Sequence, residues 1–316
     1  MQLRPLGNTP FRIAPLALGA NVFGWTVSEA DAFPILDAFV EAGGQLVDTA
    51  DSYSTWVPGN KGGESETIIG NWLAQGGRRS KIVLATKVGS DMGEGKRLDK
   101  AYIRRACEAS LRRLRTDVID LYQAHFDDES LPVSEPLEAF AELVQEGKVR
   151  AIGASNFSAA RLREAIGFSK ANNLPVYSVL QPEYNLYARE HFETEYLPIA
   201  KQEGLGVINY YALASGFLSG KYRRAEDAGK SPRGGGIVAK YLNDRGRRIL
   251  AGLDSVAARF KSDPATVALA WTMAQPAITA PIASATGVVQ LRELLRAVEL
   301  RLDEAALQEL HEASSY

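Results

Sequence analysis

Short apolar runs alternate along the chain with segments of helical periodicity. Each run is followed by a polar or glycine-containing loop and then by apolar residues spaced three and four apart. The runs lie at residues 14–19, 45–50, 81–87, 117–123, 149–155, 176–182, 206–213 and 277–283. This alternation predicts strands that are each followed by a helix.

The helical segments each present one apolar face. Three of these faces consist of Ile35, Leu36, Phe39 and Val40; of Ile103, Cys107, Leu111 and Leu114; and of Leu291, Leu294, Leu295 and Val298. Each buried strand is followed by a helix with one apolar face, and no change of composition marks a linker. This pattern favours a closed parallel barrel over an open doubly wound sheet. We therefore predict an α/β fold, a TIM (β/α)₈ barrel, as a single domain over residues 1–316.

Two elements are expected outside this repeat. The turn sequence LGNTP at residues 6–10 predicts an N-terminal β-hairpin, and an extra C-terminal helix should begin near Asp303 and carry Leu307 and Leu310. The longest break in the pattern is at residues 215–240, where basic residues precede a glycine triplet. We interpret it as a mobile loop, although an ordinary flexible connection fits the composition equally well.

Composition and charge limit the class of function. A net charge of −2 leaves no excess of positive charge for a nucleic acid or an anionic membrane, and 46% hydrophobic with 23% charged residues is typical of a globular protein. Cys107 is the single cysteine and occupies an apolar helix position, which favours a buried structural thiol. The apolar runs are shorter than the roughly 20 residues of a membrane span, and the N-terminus does not resemble a signal peptide. We expect a cytoplasmic protein.

Polar side chains stand where the predicted strands end, and chemistry in a barrel of this kind lies at the C-terminal ends of the strands. The residues concerned are, in chain order, Asp48, Asp51, Tyr53, Lys87, Gln123, His125, Ser155, Asn156, Gln181, Tyr210 and Ser284. We expect them to converge on one mouth of the barrel.

Four of these residues suggest proton transfer to a carbonyl oxygen. Lys87, at the end of an apolar run, needs a partner for its charge, and Asp48 on the neighbouring strand is the candidate. A structural ion pair would explain these two alone, but not Tyr53 and His125 beside them. A phenol with its ordinary pKa of about 10 is a poor acid unless a cation stabilises its anion, which Lys87 can do.

Other kinds of site find less support. His191 and His311 lie in helical segments and receive no role. No group of residues has metal-ligand spacing, so we expect no metal, and neither a GxGxxG after a strand nor a GxxxxGK[ST] is present. A Rossmann domain and a P-loop are both disfavoured.

Seven motifs resemble those of the aldo-keto reductase family and follow one another in that family's order. They are VDTADSY (47–53), GGESETIIG (62–70), LATKVG (84–89), DVIDLYQAHFDD (117–128), GKVRAIGASNFS (147–158), LQPEYNL (180–186) and GFLSGKY (216–222). The resemblance covers the chain from end to end. It implies a barrel that binds NADP(H) in extended form across its mouth and transfers hydride to a small-molecule carbonyl substrate.

The resemblance also implies roles for individual residues. Tyr53 would be the general acid, Lys87 with Asp48 would lower the pKa of the tyrosine, and His125 would hold the carbonyl oxygen. The expected cofactor contacts are Ser155, Asn156, Gln181 and Tyr210 at the nicotinamide; Leu213, Ser215, Gly216, Leu218 and Lys221 in the loop around the pyrophosphate; and Ser284, Thr286, Gln290 and Glu293 near the adenosine. Cations expected near the phosphates are Lys221, Arg223, Arg224, Arg233 and Arg292, which favours NADPH over NADH.

Four residues at three places depart from the family pattern. Tyr211 and Ala212 stand where the family usually has Ser-Pro, Thr286 where it has Arg or Ser, and Leu294 where it has Asn. The loop residues expected around the substrate are Asn21, Phe23, Trp25, Trp56, Phe126, Tyr187 and Tyr211. They suggest apolar pocket walls, although any one of them could instead pack loops together.

Two other functions remain open from the residues alone. One is a regulatory subunit that binds the cofactor as a sensor, against which the complete set of four residues argues. The other is a Schiff-base aldolase with Lys87 as its nucleophile. A monomer or a small homo-oligomer is expected in either case.

Overall fold

The structure is a computed structural model that describes residues 1–93, 95–231 and 233–316. Its strands are β1 Arg4–Pro5, β2 Arg12–Ile13, β3 Ala17–Gly19, β4 Leu46–Asp48, β5 Val83–Val88, β6 Ile119–Ala124, β7 Val149–Ser155, β8 Tyr177–Gln181, β9 Gly206–Val207 and β10 Ile282–Ala283. Its α-helices are α1 Glu29–Glu41, α2 Glu64–Leu73, α3 Lys100–Leu114, α4 Ser134–Gln145, α5 Ala159–Ala171, α6 Leu197–Glu203, α7 Gly234–Tyr241, α8 Asp244–Arg259, α9 Pro264–Ala274, α10 Val288–Arg296 and α11 Glu304–Ala313. A π-turn at Phe192–Tyr196 precedes α6, and short 3₁₀ segments lie at Arg79–Lys81, Ala214–Ser219 and Ala225–Lys230.

Strands β3 to β10 form a parallel sheet in the order β10-β3-β4-β5-β6-β7-β8-β9. Backbone hydrogen bonds connect its two ends, because the carbonyl of Val207 accepts from the N–H of Thr279 at 2.8 Å and the carbonyl of Asn209 accepts from the N–H of Ile282 at 2.9 Å. These bonds close the sheet, and the predicted (β/α)₈ barrel with its N-terminal hairpin is confirmed. Strands β9 and β10 are shorter than the apolar runs that predicted them.

Six of the α-helices in the described residues begin at a residue whose side chain caps the helix, namely α1, α3, α5, α8, α9 and α11. The side chain of Asp99 accepts from the backbone N–H of Tyr102 at the start of α3, and Asp303 does the same for Ala306 at the start of α11. Ile103 and Cys107 of α3 and Leu310 of α11 are buried, as their spacing predicts. No helix among residues 1–93, 95–231 and 233–316 is long and apolar enough to span a membrane.

The N-terminal hairpin closes the end of the barrel at which the strands begin. Leu6 and Ile13 are buried in a cluster with Leu46 and Leu121 from β4 and β6. Gly7 has φ +54°, and a Cβ at this position would lie 2.3 Å from the carbonyl oxygen of Ser178. The hairpin therefore packs backbone against backbone, and the opposite end of the barrel is left to the polar side chains.

The described part of the segment at residues 215–240, which we interpreted as a mobile loop, contains two 3₁₀ segments and most of helix α7. The Asp227 carboxylate accepts from the backbone N–H groups of Arg223 and Arg224 and pairs with Lys230 at 2.9 Å, which orders the turn at Ala225–Lys230. Helix α7 then begins at Gly234, where a Cβ would lie 2.0 Å from the carbonyl oxygen of Ala228. Gly234, the first glycine of the triplet, thus permits close packing here, whereas a Cβ at Gly235 or Gly236 would have no atom within 4 Å. Mobility of the segment stays a prediction.

Candidate active site

The predicted polar residues meet at the C-terminal ends of the barrel strands. Asp48 is the last residue of β4, Ser155 of β7 and Gln181 of β8. Lys87 lies near the end of β5 and pairs in register with Gln123 of β6. The strand ends therefore bring together side chains that lie up to 133 residues apart in the sequence.

Lys87 is the centre of this cluster. Its Nζ donates to Asp48 Oδ2 at 2.7 Å, to the Thr49 carbonyl at 2.8 Å and to the Tyr53 hydroxyl at 2.8 Å. The lysine is fully buried, and so its charge depends on these three acceptors instead of water. The same ammonium group therefore forms the ion pair with Asp48 and the hydrogen bond to Tyr53.

Two amides hold the second oxygen of Asp48. Asp48 Oδ1 accepts from Gln181 Nε2 at 3.0 Å and from Gln123 Nε2 at 3.3 Å. The carboxylate is 1% exposed, so these bonds and Lys87 replace its hydration. Gln123, to which the sequence assigned no role, therefore helps to orient the ion pair.

Burial dominates the electrostatics of Tyr53. Desolvation, followed by the charge of Asp48, raises the pKa of Tyr53 well above its ordinary value. Desolvation also lowers the pKa of Lys87, although Asp48 opposes this. The lowering effect of Lys87 on the pKa of Tyr53, which the family resemblance implies, stays a prediction, and in the protein on its own burial and Asp48 outweigh it. Tyr53 holds its proton, and Lys87 can stabilise the phenolate only as that proton leaves.

His125 lies beside Tyr53 at the end of β6. The two rings are 6.0 Å apart in an edge-to-face arrangement, and the backbone N–H of His125 donates to the Val88 carbonyl at 2.8 Å. Burial and the charge of Lys87 lower the pKa of the imidazole well below its ordinary value. His125 is therefore neutral near pH 7 and can donate one hydrogen bond without adding a charge.

The residues expected at the nicotinamide form two linked pairs. Ser155 Oγ donates to the Gln181 carbonyl at 2.8 Å, and the Tyr210 hydroxyl donates to Asn156 Oδ1 at 2.9 Å. Asn156 Nδ2 connects the pairs by donating to Ser155 Oγ at 3.1 Å. Asn156 has φ +55°, a conformation that asparagine tolerates better than most side chains. The network places the exposed amide of Asn156 and the partly buried phenol of Tyr210 beside the catalytic candidates.

The loop after β9 makes a run of left-handed backbone. Ala214, Ser215 and Gly216 have φ of +48°, +58° and +97°. Leu218 is fully buried and anchors this turn, so its side chain is part of the core, while Leu213 is only partly buried. Within this loop the backbone N–H of Ala214 donates to the Tyr211 carbonyl at 2.6 Å and that of Gly216 to the Leu213 carbonyl at 2.8 Å, so these two groups stabilise the turn itself.

The expected cations have different surroundings. The Arg223 guanidinium binds both oxygens of Asp254 at 2.6 Å, so its charge is already compensated. Lys221 is exposed, and the Arg233 guanidinium lies 5.3 Å from the centre of the Trp25 ring, with no carboxylate partner in the described part of the chain. Arg292 is exposed on α10. Arg223 is therefore a poor candidate for binding a phosphate.

The residues expected near the adenosine lie after β10, away from Lys87. The Ser284 hydroxyl donates to Asn21 Oδ1 at 2.5 Å, and Gln290 Oε1 accepts from the backbone N–H of Thr286 at 2.8 Å. Gln290 thus holds the turn that enters α10. Glu293 is exposed on the same helix.

Aromatic side chains surround Tyr53 on the open side. The Trp56 ring lies 6.3 Å from that of Tyr53 and 5.6 Å from that of Trp25, and Phe126 stacks on His125 at 5.0 Å. Trp56 and Tyr211 are 49% and 47% exposed, so apolar ring surface is available for a substrate.

Two of the aromatic residues proposed for the pocket lie elsewhere. Phe23 is completely buried in the core, and Tyr187 packs edge-on against Tyr241 of α7 with its hydroxyl donating to the carbonyl of Lys240. These residues hold loops in place, as the alternative interpretation allowed.

A buried carboxylate to which the sequence pattern assigned no role bonds to Thr86, the residue before Lys87. Glu66 of α2 is completely buried, accepts from the Thr86 hydroxyl at 2.6 Å and pairs with Arg113 of α3 at 2.6 Å. The only available signal was a charged residue on the same helix as Ile69 and Trp72, which are buried.

Comparisons with known proteins show which family this chain belongs to. The family model described as the aldo/keto reductase family matches residues 15–315. The uncharacterized oxidoreductase YrpG of Bacillus subtilis is 38% identical over 99% of this chain and 95% of its own length. Protein tas of Escherichia coli is 32% identical over 100% and 99%, and norsolorinic acid reductase of Aspergillus flavus is 31% identical over 96% and 79%. The similarity to these proteins thus extends over almost the entire chain.

Proposed function

The chain belongs to the aldo/keto reductase family, and from this premise we propose that this oxidoreductase uses NADPH to reduce a small aldehyde or ketone to its alcohol. One observation carries the proposal. Lys87 Nζ lies 2.8 Å from the Tyr53 hydroxyl and 2.7 Å from Asp48, next to His125 and at the open end of the barrel. A proton donor, a buried cation and a neutral hydrogen-bond donor are the groups that reduction of a carbonyl requires.

The described residues fit a nicotinamide cofactor. The exposed amide of Asn156 and the phenol of Tyr210 offer hydrogen bonds and a ring face beside the four catalytic candidates. The exposed cations Lys221 and Arg233, which follow the turn at Ser215 and Gly216 in the sequence, suit a pyrophosphate. When bound, the cofactor supplies a hydride to the carbonyl carbon.

In this proposal the residues of the chain manage the proton and the substrate oxygen. His125 donates a hydrogen bond to that oxygen and orients it towards Tyr53. Tyr53 then transfers its hydroxyl proton to the oxygen, and its phenolate accepts a hydrogen bond from Lys87 Nζ. Asp48, held by Gln123 and Gln181, keeps Lys87 protonated and in place.

The contacts of Lys87 argue against the aldolase alternative. A Schiff base requires a neutral amine that can reach a carbonyl carbon. The three acceptors around Lys87 Nζ each favour the ammonium form and occupy its donor directions. Lys87 is therefore better suited to electrostatic stabilisation than to attack.

The proposal is tested by steady-state oxidation of NADPH and NADH with a panel of aldehydes, ketones and sugars. We expect sustained turnover of at least one carbonyl, with the alcohol as its product. Slow oxidation that stops after one equivalent of cofactor would favour a sensor. Trapping of a carbonyl on Lys87 by borohydride would favour the aldolase and contradict the proposal.

A further inference from the structure

A cluster of charged side chains, buried except for the partly exposed Arg113, lies at the end of β4 and along β5, α2 and α3. Its members are Asp48, Asp51, Glu66, Lys87 and Arg113. The three carboxylic acids are 1%, 4% and 0% exposed, so none of them is stabilised by bulk water. In such a place a charge persists only where a partner compensates it.

The cluster has fewer cations than carboxylic acids. Lys87 pairs with Asp48 at 2.7 Å and Arg113 with Glu66 at 2.6 Å, so each cation is taken by one carboxylate. Asp51 has no ion-pair partner in residues 1–93, 95–231 and 233–316, and its Oδ1 is buried there without a hydrogen-bond partner. An ionised Asp51 would thus leave the cluster with one uncompensated negative charge.

Asp51 is also connected to the two residues on which the proposed chemistry depends. Its backbone N–H donates to the Lys87 carbonyl at 3.3 Å, and it stands two residues before Tyr53 in the same turn. Gly62, where a Cβ would lie 2.8 Å from the Asp51 carbonyl oxygen, packs closely on this turn. The Asp51 side chain has little freedom to move towards water.

The neighbouring elements act on the Asp51 carboxyl with opposite signs. Burial, followed by the negative charge of Glu66, raises its pKa from 3.8 to about 8. Three weaker influences oppose this, namely the charges of Arg113 and Lys87 and the backbone N–H of Ser52. The Tyr122 hydroxyl of β6 is buried, and its own raised pKa keeps it neutral.

We propose that Asp51 is a positioning residue that holds a proton in the working enzyme, and that this neutral carboxyl leaves the charge of Lys87 available to Tyr53. The inference rests on the proposed carbonyl reduction. When Asp51 loses its proton, its new negative charge offsets part of the positive potential that Lys87 exerts on Tyr53. The phenolate that develops on Tyr53 is then less stabilised, and reduction slows.

A stability measurement tests the proton directly and requires no turnover. Asp51 binds its proton more tightly in the folded than in the unfolded protein, so this contribution to stability is complete below about pH 4 and is lost as the pH rises to about 8. Relative to Asp51→Asn, the wild-type unfolding constant should increase about tenfold per pH unit between these limits. The measurement is denaturant unfolding of both proteins at several pH values. Parallel curves would overturn the inference.

An infrared measurement covers the case in which Asp51→Asn does not fold. A protonated buried carboxylic acid has a carbonyl band that a carboxylate lacks. In the wild type this band should disappear as the pH rises through about 8. A spectrum without such a band at about pH 6.5 would also overturn the inference.

The role in the reaction is tested by the pH profile of kcat/KM for reduction. We expect the wild-type value to fall above about pH 8, and the fall in Asp51→Asn to start at least about one pH unit higher, with activity near pH 6.5 changed less than about threefold. The control is Asp120→Asn, a buried aspartate that pairs with Arg79 at 2.8 Å and Arg150 at 2.9 Å, because its loss should lower stability and leave the profile unchanged.

The outcomes separate the two proposals. A proton on Asp51 together with equal pH profiles would refute its role in the reaction. Absence of turnover with every carbonyl would refute the proposed function and that role with it, while the stability and infrared measurements still decide where the proton lies.

Discussion

At the scale of single residues, Tyr53 is the group whose chemistry is easiest to isolate. Tyr53→Phe removes one hydroxyl and keeps the ring that packs near Trp56 and His125. We expect turnover to fall by roughly 10²–10⁴ with cofactor binding almost unchanged, because only the transferable proton is lost. Stopped-flow or steady-state rates with a cofactor titration provide the measurement. Normal turnover in the variant would remove Tyr53 from the mechanism.

The ion pair of Lys87 and Asp48 contributes to both stability and activity. Lys87→Met leaves the buried Asp48 carboxylate without its cation, so unfolding should become easier by about 3–5 kcal/mol, activity should fall strongly and the pH profile should shift. Asp48→Asn keeps an oxygen that can accept from Lys87 and should be milder than Asp48→Leu. Denaturant unfolding and pH-dependent kinetics measure these effects. Unchanged pH profiles in both Lys87→Met and Asp48→Asn would mean that the pair is only structural.

At the scale of elements, the segment between β9 and α8 decides which cofactor cations are available. Arg233 has no carboxylate partner among the described residues, whereas Arg223 is bound by Asp254. If Arg233 meets the 2′-phosphate, a charge-assisted contact of about 1.5–3 kcal/mol gives roughly ten- to hundredfold preference for NADPH. The preference should weaken as salt screens this exposed contact.

The test compares kcat/KM for NADPH and NADH at two ionic strengths. Arg233→Ala should reduce the preference, and the matched control Arg223→Ala should keep it, because that charge is already compensated. Equal use of the two cofactors by the wild type would refute the expected preference and leave the assignment of Tyr53 and Lys87 intact.

At the scale of the whole molecule, the hairpin and the active site occupy opposite ends of one barrel. Gly7→Ala places a Cβ 2.3 Å from a backbone oxygen of β8 in a residue with φ +54°. We expect a loss of stability larger than the roughly 1 kcal/mol of a left-handed alanine alone. The control is Gly43→Ala, with φ +85° and no atom within 4 Å of the added Cβ. Thermal unfolding and KM are the readouts.

Because the hairpin lies at the opposite end of the barrel from the active site, we also expect the substitution to leave the kinetics unchanged. Gly7→Ala should lower the unfolding temperature and leave KM and kcat unchanged at temperatures where the variant is folded. Equal stability of Gly7→Ala and Gly43→Ala would show that the hairpin backbone does not pack closely against Ser178. A changed KM would show that packing at one end of the barrel reaches the other.

The sequence by itself determined the barrel, its hairpin, its last helix and the strand ends at which polar residues would meet. Each of these follows from local periodicity, because a strand or helix buries one face according to the spacing of its own residues. The single-domain organisation remains a prediction of that pattern. The spacing of apolar residues does not specify which distant side chains come into contact, and only the tertiary structure shows those contacts.

Contacts between distant residues and the charges that depend on burial came only from the tertiary structure. Gln181 binds Asp48 across 133 residues, Phe23 proved to be a core residue, and Asp254 compensates Arg223. Burial and Asp48 raise the pKa of Tyr53, and among the described residues Asp51 has no ion-pair partner. The hydrogen-bond partners and the protonation state of a side chain depend on the burial and the charges around it in the folded protein. Residues far apart along the chain supply those charges.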